Sequence, residues 1–152
     1  MASPNNIRVK TMCLIVNDGK VLVMDGRSIK SRSEGVVVEP APFYRAIGGS
    51  LEFGETVRDG VRREVREELN SEVIGLELAE VVESIFDYEG QANHEVCFIF
   101  KGSLERTELY DQDSIHVIED TYEFDTVWVP VQDVLSGPTP LYPLADYAQH
   151  LS

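Results

Sequence analysis

The sequence predicts a mixed β-sheet covered by helices, an α/β or α+β sandwich. Three observations carry this expectation. Apolar, strand-like runs open the chain and return through its second half. A proline-free stretch, 55–69, repeats aliphatic residues at helical spacing. A closing stretch, 142–151, has apolar residues at 144, 145, 147 and 151, which suits a short helix. No internal repeat or low-complexity tract divides the 152 residues, so one domain is expected over 1–152.

The elements follow in order. Strand-like residues 7–16, the turn signal Asn17-Asp18-Gly19 and the apolar run 21–24 predict an opening β-hairpin. Residues 25–42 carry a Ser/Arg/Lys cluster from Arg27 to Arg32, the triplet 36–38 and Pro40-Ala41-Pro42. They read as a long loop, and loops of that length often carry function. The helix comes next, with Thr56 near its N-cap. Beyond Asn70-Ser71, the runs 73–86, 95–100 and 122–131 predict strands, with Gly90 and Gly102 as breaks and the acidic stretch 105–120 as loop.

Composition excludes several classes. No apolar run approaches the roughly 18–20 residues that cross a bilayer as a helix. The start, Met-Ala-Ser-Pro-Asn-Asn, has neither a basic leader nor an apolar stretch with a cleavage site, which predicts a cytoplasmic protein. Cys13 and Cys97 each sit in a strand-like apolar run and read as buried free thiols. The net charge of −14 argues against nucleic acid or an anionic membrane surface as partner. That charge is unevenly spread, with +3 on residues 1–50 and −17 on the remainder. A chain this acidic handles a phosphate substrate only if a divalent cation supplies positive charge.

The helix shows where such a cation would sit. At about 100° per residue, Val57, Val61, Val65 and Leu69 form one core-facing stripe. Glu64 and Glu68 overlap the edge of that stripe, and Glu67 lies about 80° from Val57. A solvated acidic face would instead oppose the stripe. Glu64 with Glu68, and Glu64 with Glu67, are repulsive helix neighbours, and partial burial sharpens the repulsion. Three carboxylates around one point offer hard oxygen ligands that suit Mg²⁺ or Mn²⁺, and the chemistry implied is metal-assisted hydrolysis.

The wider pattern is Gly49, five residues, Glu55, seven residues, then Arg63-Glu64-Val65-Arg66-Glu67-Glu68. It resembles the signature of the Nudix hydrolase superfamily, G-x5-E-x7-R-E-U-x-E-E-x-G-U with U aliphatic. The match runs from Gly49 to Ser71, preceded by Arg45-Ala46-Ile47-Gly48. It departs at Asn70, where the family has Gly, and at Ser71, where it has an aliphatic residue. Asn is the next-best residue for a left-handed helix end.

The resemblance implies a Nudix-type α/β/α sandwich around a mixed central sheet, and hydrolysis of a nucleoside diphosphate linked to a moiety X. It implies Glu64, Glu67 and Glu68 as metal ligands and a Glu55–Arg63 salt bridge that orients them. Gly48 and Gly49 would form a tight loop at the metal and phosphate, with Arg45 as phosphate-binding residue. Glu64 is the first candidate for general base, with Glu95, Glu119 and Glu123 as alternatives. Arg27, Lys30 and Arg32, on the more basic side of the chain, read as a solvated loop, with contact to a distal phosphate as the alternative. The implied partner is a small nucleotide-type substrate, and a homodimer is compatible with the resemblance. A nucleotide-sensing module without turnover is the alternative, but such a module would be free to lose the metal ligands, and all three glutamates are present.

Substrate identity lies outside this motif. Tyr88, 17 residues past Ser71, resembles the tyrosine that marks dinucleoside polyphosphate hydrolases. The proline typical of ADP-ribose pyrophosphatases is replaced by Phe86. Phe43, Tyr44 and Phe53 read as core packing, with stacking on a base as the alternative, and His94 reads as a strand-edge residue, with substrate contact as the alternative.

Overall fold

The computed structural model describes residues 6–35, 37–88 and 90–151, the Tyr88 side chain excepted. The strands are β1 (Ile7–Leu14), β2 (Val16–Asn17), β3 (Lys20–Ser31), β4 (Tyr44–Ser50), β5 (Val73–Tyr88), β6 (Gln91–Leu104), β7 (Ser114–Ile118), β8 (Tyr122–Pro130) and β9 (Leu141–Tyr142). The helices are α1 (Val57–Leu69) and the short α2 (Val131–Ser136), and 3-10 turns cover Thr107–Asp111 and Tyr147–Gln149. The sheet runs β5-β6-β1-β4-β3-β8-β7, with β2 on β3 and β9 on β4. It is mixed: β1 lies parallel to β6 and antiparallel to β4. The α+β class expected from sequence is the one observed.

Helix α1 lies on one face of the sheet because its valine and leucine stripe fits there. Val61, Val65 and Leu69 are buried against Cys13, Ile15, Leu22, Ile47, Phe100 and Leu104. Each such aliphatic side chain contributes about 1.5–3 kcal/mol of burial free energy. The opposite face, with Met12, Leu14, Val21, Val23, Ala46 and Ile99, is covered by Tyr147, Leu151 and the valines of α2. Cys13 and Cys97 are buried free thiols. Among the described residues no helix is long and apolar enough to cross a membrane.

Both ends of α1 are fixed by local chemistry. The Thr56 Oγ1 accepts the Asp59 N–H at 3.1 Å, a side-chain N-cap. Asn70 takes the left-handed conformation at φ 50°, ψ 44°, and donates its N–H to the Arg66 carbonyl. Ser71, standing where the motif has an aliphatic residue, is buried, donates to the Glu72 carbonyl and accepts the Arg106 N–H at 3.1 Å. A hydrogen bond thus ties the helix end to the segment after β6.

Several sequence expectations change. The opening hairpin joins only β2 to β3, across Asp18 and Gly19, both with positive φ. The first long strand, β1, is inserted between β6 and β4, a non-local pairing that no turn residue encodes. The expected loop 25–42 begins later, because β3 continues to Ser31 through a register shift between Asp25 and Lys30. There the Ser28 hydroxyl donates to the Asp25 carbonyl and accepts the Asp125 N–H, replacing ladder bonds. Gly102 lies inside β6, where an added Cβ would come within 2.6 Å of Val73, so it marks a close approach rather than a break. The stretch 105–120 holds a 3-10 turn and the edge strand β7. The expected closing helix is the extended β9 followed by one 3-10 turn, in keeping with Pro143, which disfavours helix in the residue before it. The start 1–5, residue 36 of the apolar triplet and the Tyr88 side chain lie outside the described residues.

Candidate functional site

The site is built where the end of β4 meets the face of α1. Gly48 has φ +147°, and a Cβ there would fall 2.1 Å from the Thr11 carbonyl of β1. Gly49 is needed for a different reason, since its Cβ would lie 2.7 Å from Glu64 Oε1. The Thr11 Oγ1 donates to the Val57 carbonyl at 2.9 Å, anchoring the first turn of α1 to β1. The two glycines therefore let the strand backbone run against the helix carboxylates.

Arg63 organises the helix side. It donates from Nη2 to Glu55 Oε1 at 2.7 Å and from Nε to Glu55 Oε2 at 3.1 Å, a bidentate pair. The same guanidinium reaches the Ser50 carbonyl, Glu64 Oε1 at 3.0 Å and Glu67 at 3.2 Å. The Arg63 hydrogen bonds, helped by the Glu52 N–H, hold the Glu55 carboxyl below its ordinary range. Glu55 in turn raises the Arg63 guanidinium, so the pair stays charged.

Two carboxylates are taken out of water. Glu64 is 8% exposed and Glu68 4%. Burial raises the Glu64 carboxyl, opposed by Arg63. Burial pushes Glu68 up to about 8, with Arg45 opposing and Glu64 and Glu119 adding to the rise. The nearest cation to Glu68 is Arg45, with Nη2 at 3.6 Å from Oε1. Both Glu68 oxygens are buried and unpartnered among the described residues. The Gly48 N–H favours the charged form slightly but does not reach hydrogen-bond geometry with those oxygens. The Arg45 guanidinium lies over the Phe124 ring at 5.6 Å.

Of the residues singled out in the sequence, Glu55, Arg63, Glu64, Glu67, Glu68, Gly48, Gly49 and Arg45 are brought together. Glu67 is turned toward Arg63, and among the described residues no three Asp, Glu, His or Cys side chains are gathered closely enough to grip a metal as they stand. Among the alternative bases, Glu119 in the β7–β8 turn is near enough to raise both buried carboxyls. Glu95 is instead ion-paired with Arg8 and Lys10, and Glu123 faces His116 and Arg32. Arg27 pairs with Asp25, Lys30 is exposed, and Arg32 donates to the Glu119 carbonyl. Phe53 is fully exposed, while Phe43 packs against the cluster of Met24, Ile29, Val117 and Phe124. His94 sits inside β6 against Glu83 at 3.1 Å. The Tyr88 backbone lies at the tip of the β5–β6 hairpin, beyond the Ile7–His94 pairing. Sequence reasoning did not single out Tyr122, Phe124 or Glu52. The first two come from β8, and no spacing along the chain links them to the helix.

The donor set suits a hard divalent cation. A carboxylate with both oxygens buried and unpartnered is costly to leave so, and Glu64 stands beside it with a second raised carboxyl. Glu67 could join them only by leaving Arg63.

Comparison with known proteins is consistent in one direction. A family model described as the NUDIX domain matches residues 6–148. Among solved structures, a MutT NUDIX hydrolase from Burkholderia pseudomallei superposes with a TM-score of 0.62 at 23% identity, over 91% of this chain and 92% of that one. A NUDIX hydrolase from Nitrosomonas europaea gives 0.57 at 18% identity, over 84% and 75%. A MutT protein from Bacillus halodurans gives 0.56 at 23%, over 88% and 74%. At these identities the structures speak for the fold alone. No curated protein matches the sequence.

Proposed function

The chain belongs to the NUDIX family, and we propose that it is a pyrophosphohydrolase that cleaves a phosphoanhydride bond in a nucleoside diphosphate linked to a second moiety, nucleotide or dinucleoside polyphosphate in class. Glu64, Glu67 and Glu68 would hold Mg²⁺ or Mn²⁺. The observation that carries this reading is the buried, unpartnered carboxylate of Glu68 beside Glu64 against the glycine loop.

When bound, the metal withdraws charge from phosphate oxygens and makes water a better nucleophile. The chain's own residues do the rest. Glu55 and Arg63 fix the helix face that carries the ligands. Gly48 and Gly49 let the backbone approach the substrate phosphates, and Arg45 adds positive charge at the same edge. Glu64, whose carboxylate stands against Gly49 at the loop, would take the proton of the attacking water. An oxygen–phosphorus bond forms as the bridging bond breaks, and the bridging oxygen leaves with the second phosphoryl product.

The test is release of phosphate and nucleotide by wild type and Glu68→Gln in Mg²⁺. Wild type is expected to turn over one substrate class, and the isosteric variant to lose it. Equal turnover would remove Glu68 from the site.

A further inference from the structure

Resting on the metal site just proposed, we infer that Arg45 is the resident counter-ion of Glu68 and sets how tightly the site holds a divalent metal. Arg45 is fixed in two ladders, opposite Met24 on β3 and Tyr142 on β9, so its backbone has little freedom to reposition. Its guanidinium is braced over Phe124, with Tyr122 beside it. From there Nη2 is 3.6 Å from Glu68 Oε1, the single ion pair that Glu68 makes among the described residues. Arg63 does not share this task, because its donors are engaged by Glu55, Glu64, Glu67 and the Ser50 carbonyl.

The contact matches charge without forming a hydrogen bond, and both Glu68 oxygens keep their lone pairs free. Whenever Glu68 is ionised, Arg45 is the cation beside it, and a buried carboxylate left without any cation is strongly destabilising. A divalent ion arriving at the same oxygens meets the guanidinium as a like charge. Arg45 therefore lowers metal affinity. Competition from a proton does not reverse the sign, since a divalent ion feels the repulsion twice as strongly as a singly charged one.

The test titrates Mn²⁺ into wild type, Arg45→Met, Arg45→Gln, Arg45→Lys, Glu64→Gln and Glu68→Gln by calorimetry, with thermal melts before and after. Arg45→Met and Arg45→Gln are expected to bind Mn²⁺ about tenfold tighter, the scale of effect of groups beside metal ligands. Mn²⁺ should raise their Tm by more than it raises that of wild type. Arg45→Lys, which keeps the charge, should stay near the wild-type Kd. Unchanged or weaker Mn²⁺ binding in the two neutral variants overturns the inference. Should Arg45→Met not fold, Arg45→Gln decides, because its amide retains a polar head over Phe124. If Glu64→Gln and Glu68→Gln bind Mn²⁺ as wild type does, the metal site itself is wrong and this inference falls with it. If those two lose binding while the neutral Arg45 variants gain nothing, only the role of Arg45 is wrong.

Discussion

Glu68 combines a carboxylate that has lost its water with an arginine that does not hydrogen-bond it. Its folded carboxyl is raised from 4.5 to about 8, so the protonated form is the one that favours the metal-free fold. That contribution is complete below about pH 4.5 and is lost as pH rises through about 8. The metal-free protein should therefore lose Tm between pH 5 and 9 relative to Glu68→Gln, which carries no titrating group there. The same variant should keep or gain stability at pH 8 while kcat falls at least about a hundredfold. Metal binding must also expel the Glu68 proton, so Mn²⁺ Kd should tighten by up to about tenfold per unit as pH approaches 8. Much of this residue scale was legible in sequence: Glu55, Arg63, Glu64, Glu67 and Glu68 share one helix and its entry, where spacing fixes geometry. The Arg45–Glu68 pair and the Phe124 brace were not, because they join β4, α1 and β8 through the tertiary fold.

At the scale of elements, α1 was the most readable part of the chain. Its stripe, its Thr56 cap and its Asn70 ending all follow from side-chain chemistry within the segment. Because Asn70 holds a left-handed conformation, Asn70→Ala should lower stability by about 1 kcal/mol in urea unfolding, and Asn70→Gly should change it by less than about half of that. The glycine loop makes a sharper prediction. In Gly49→Ala the new methyl would stand 2.7 Å from Glu64 Oε1 and must displace that carboxylate. The fold should persist, and kcat should drop by about 10² from misplacement of the ligand. Strands were less legible wherever the sheet bent or paired at a distance. Ser28 and Gly26 read as loop because β3 is bulged there, and β7 read as loop because it is only five residues long and is flanked by Asp111, Asp113, Glu119 and Asp120.

Across the whole molecule, the acidic charge and the fold point the same way. A net charge of −14 leaves little to hold a polyphosphate except the arginines near β4 and α1 and a cation brought by the glutamates. The domain joins a sheet with parallel and antiparallel neighbours to one long helix, and that helix carries all three proposed metal ligands. A bound metal should accordingly stabilise the whole domain, raising Tm in proportion to the logarithm of its concentration above Kd. The most direct measurement is product release from a panel of nucleoside triphosphates, dinucleoside polyphosphates, ADP-ribose and nucleotide sugars, with Mg²⁺ and with the metal chelated. The account predicts cleavage of one class that needs Mg²⁺, leaving products that end in phosphate. Cleavage that continued undiminished after chelation, or Mg²⁺-dependent cleavage of no member of the panel, would contradict it.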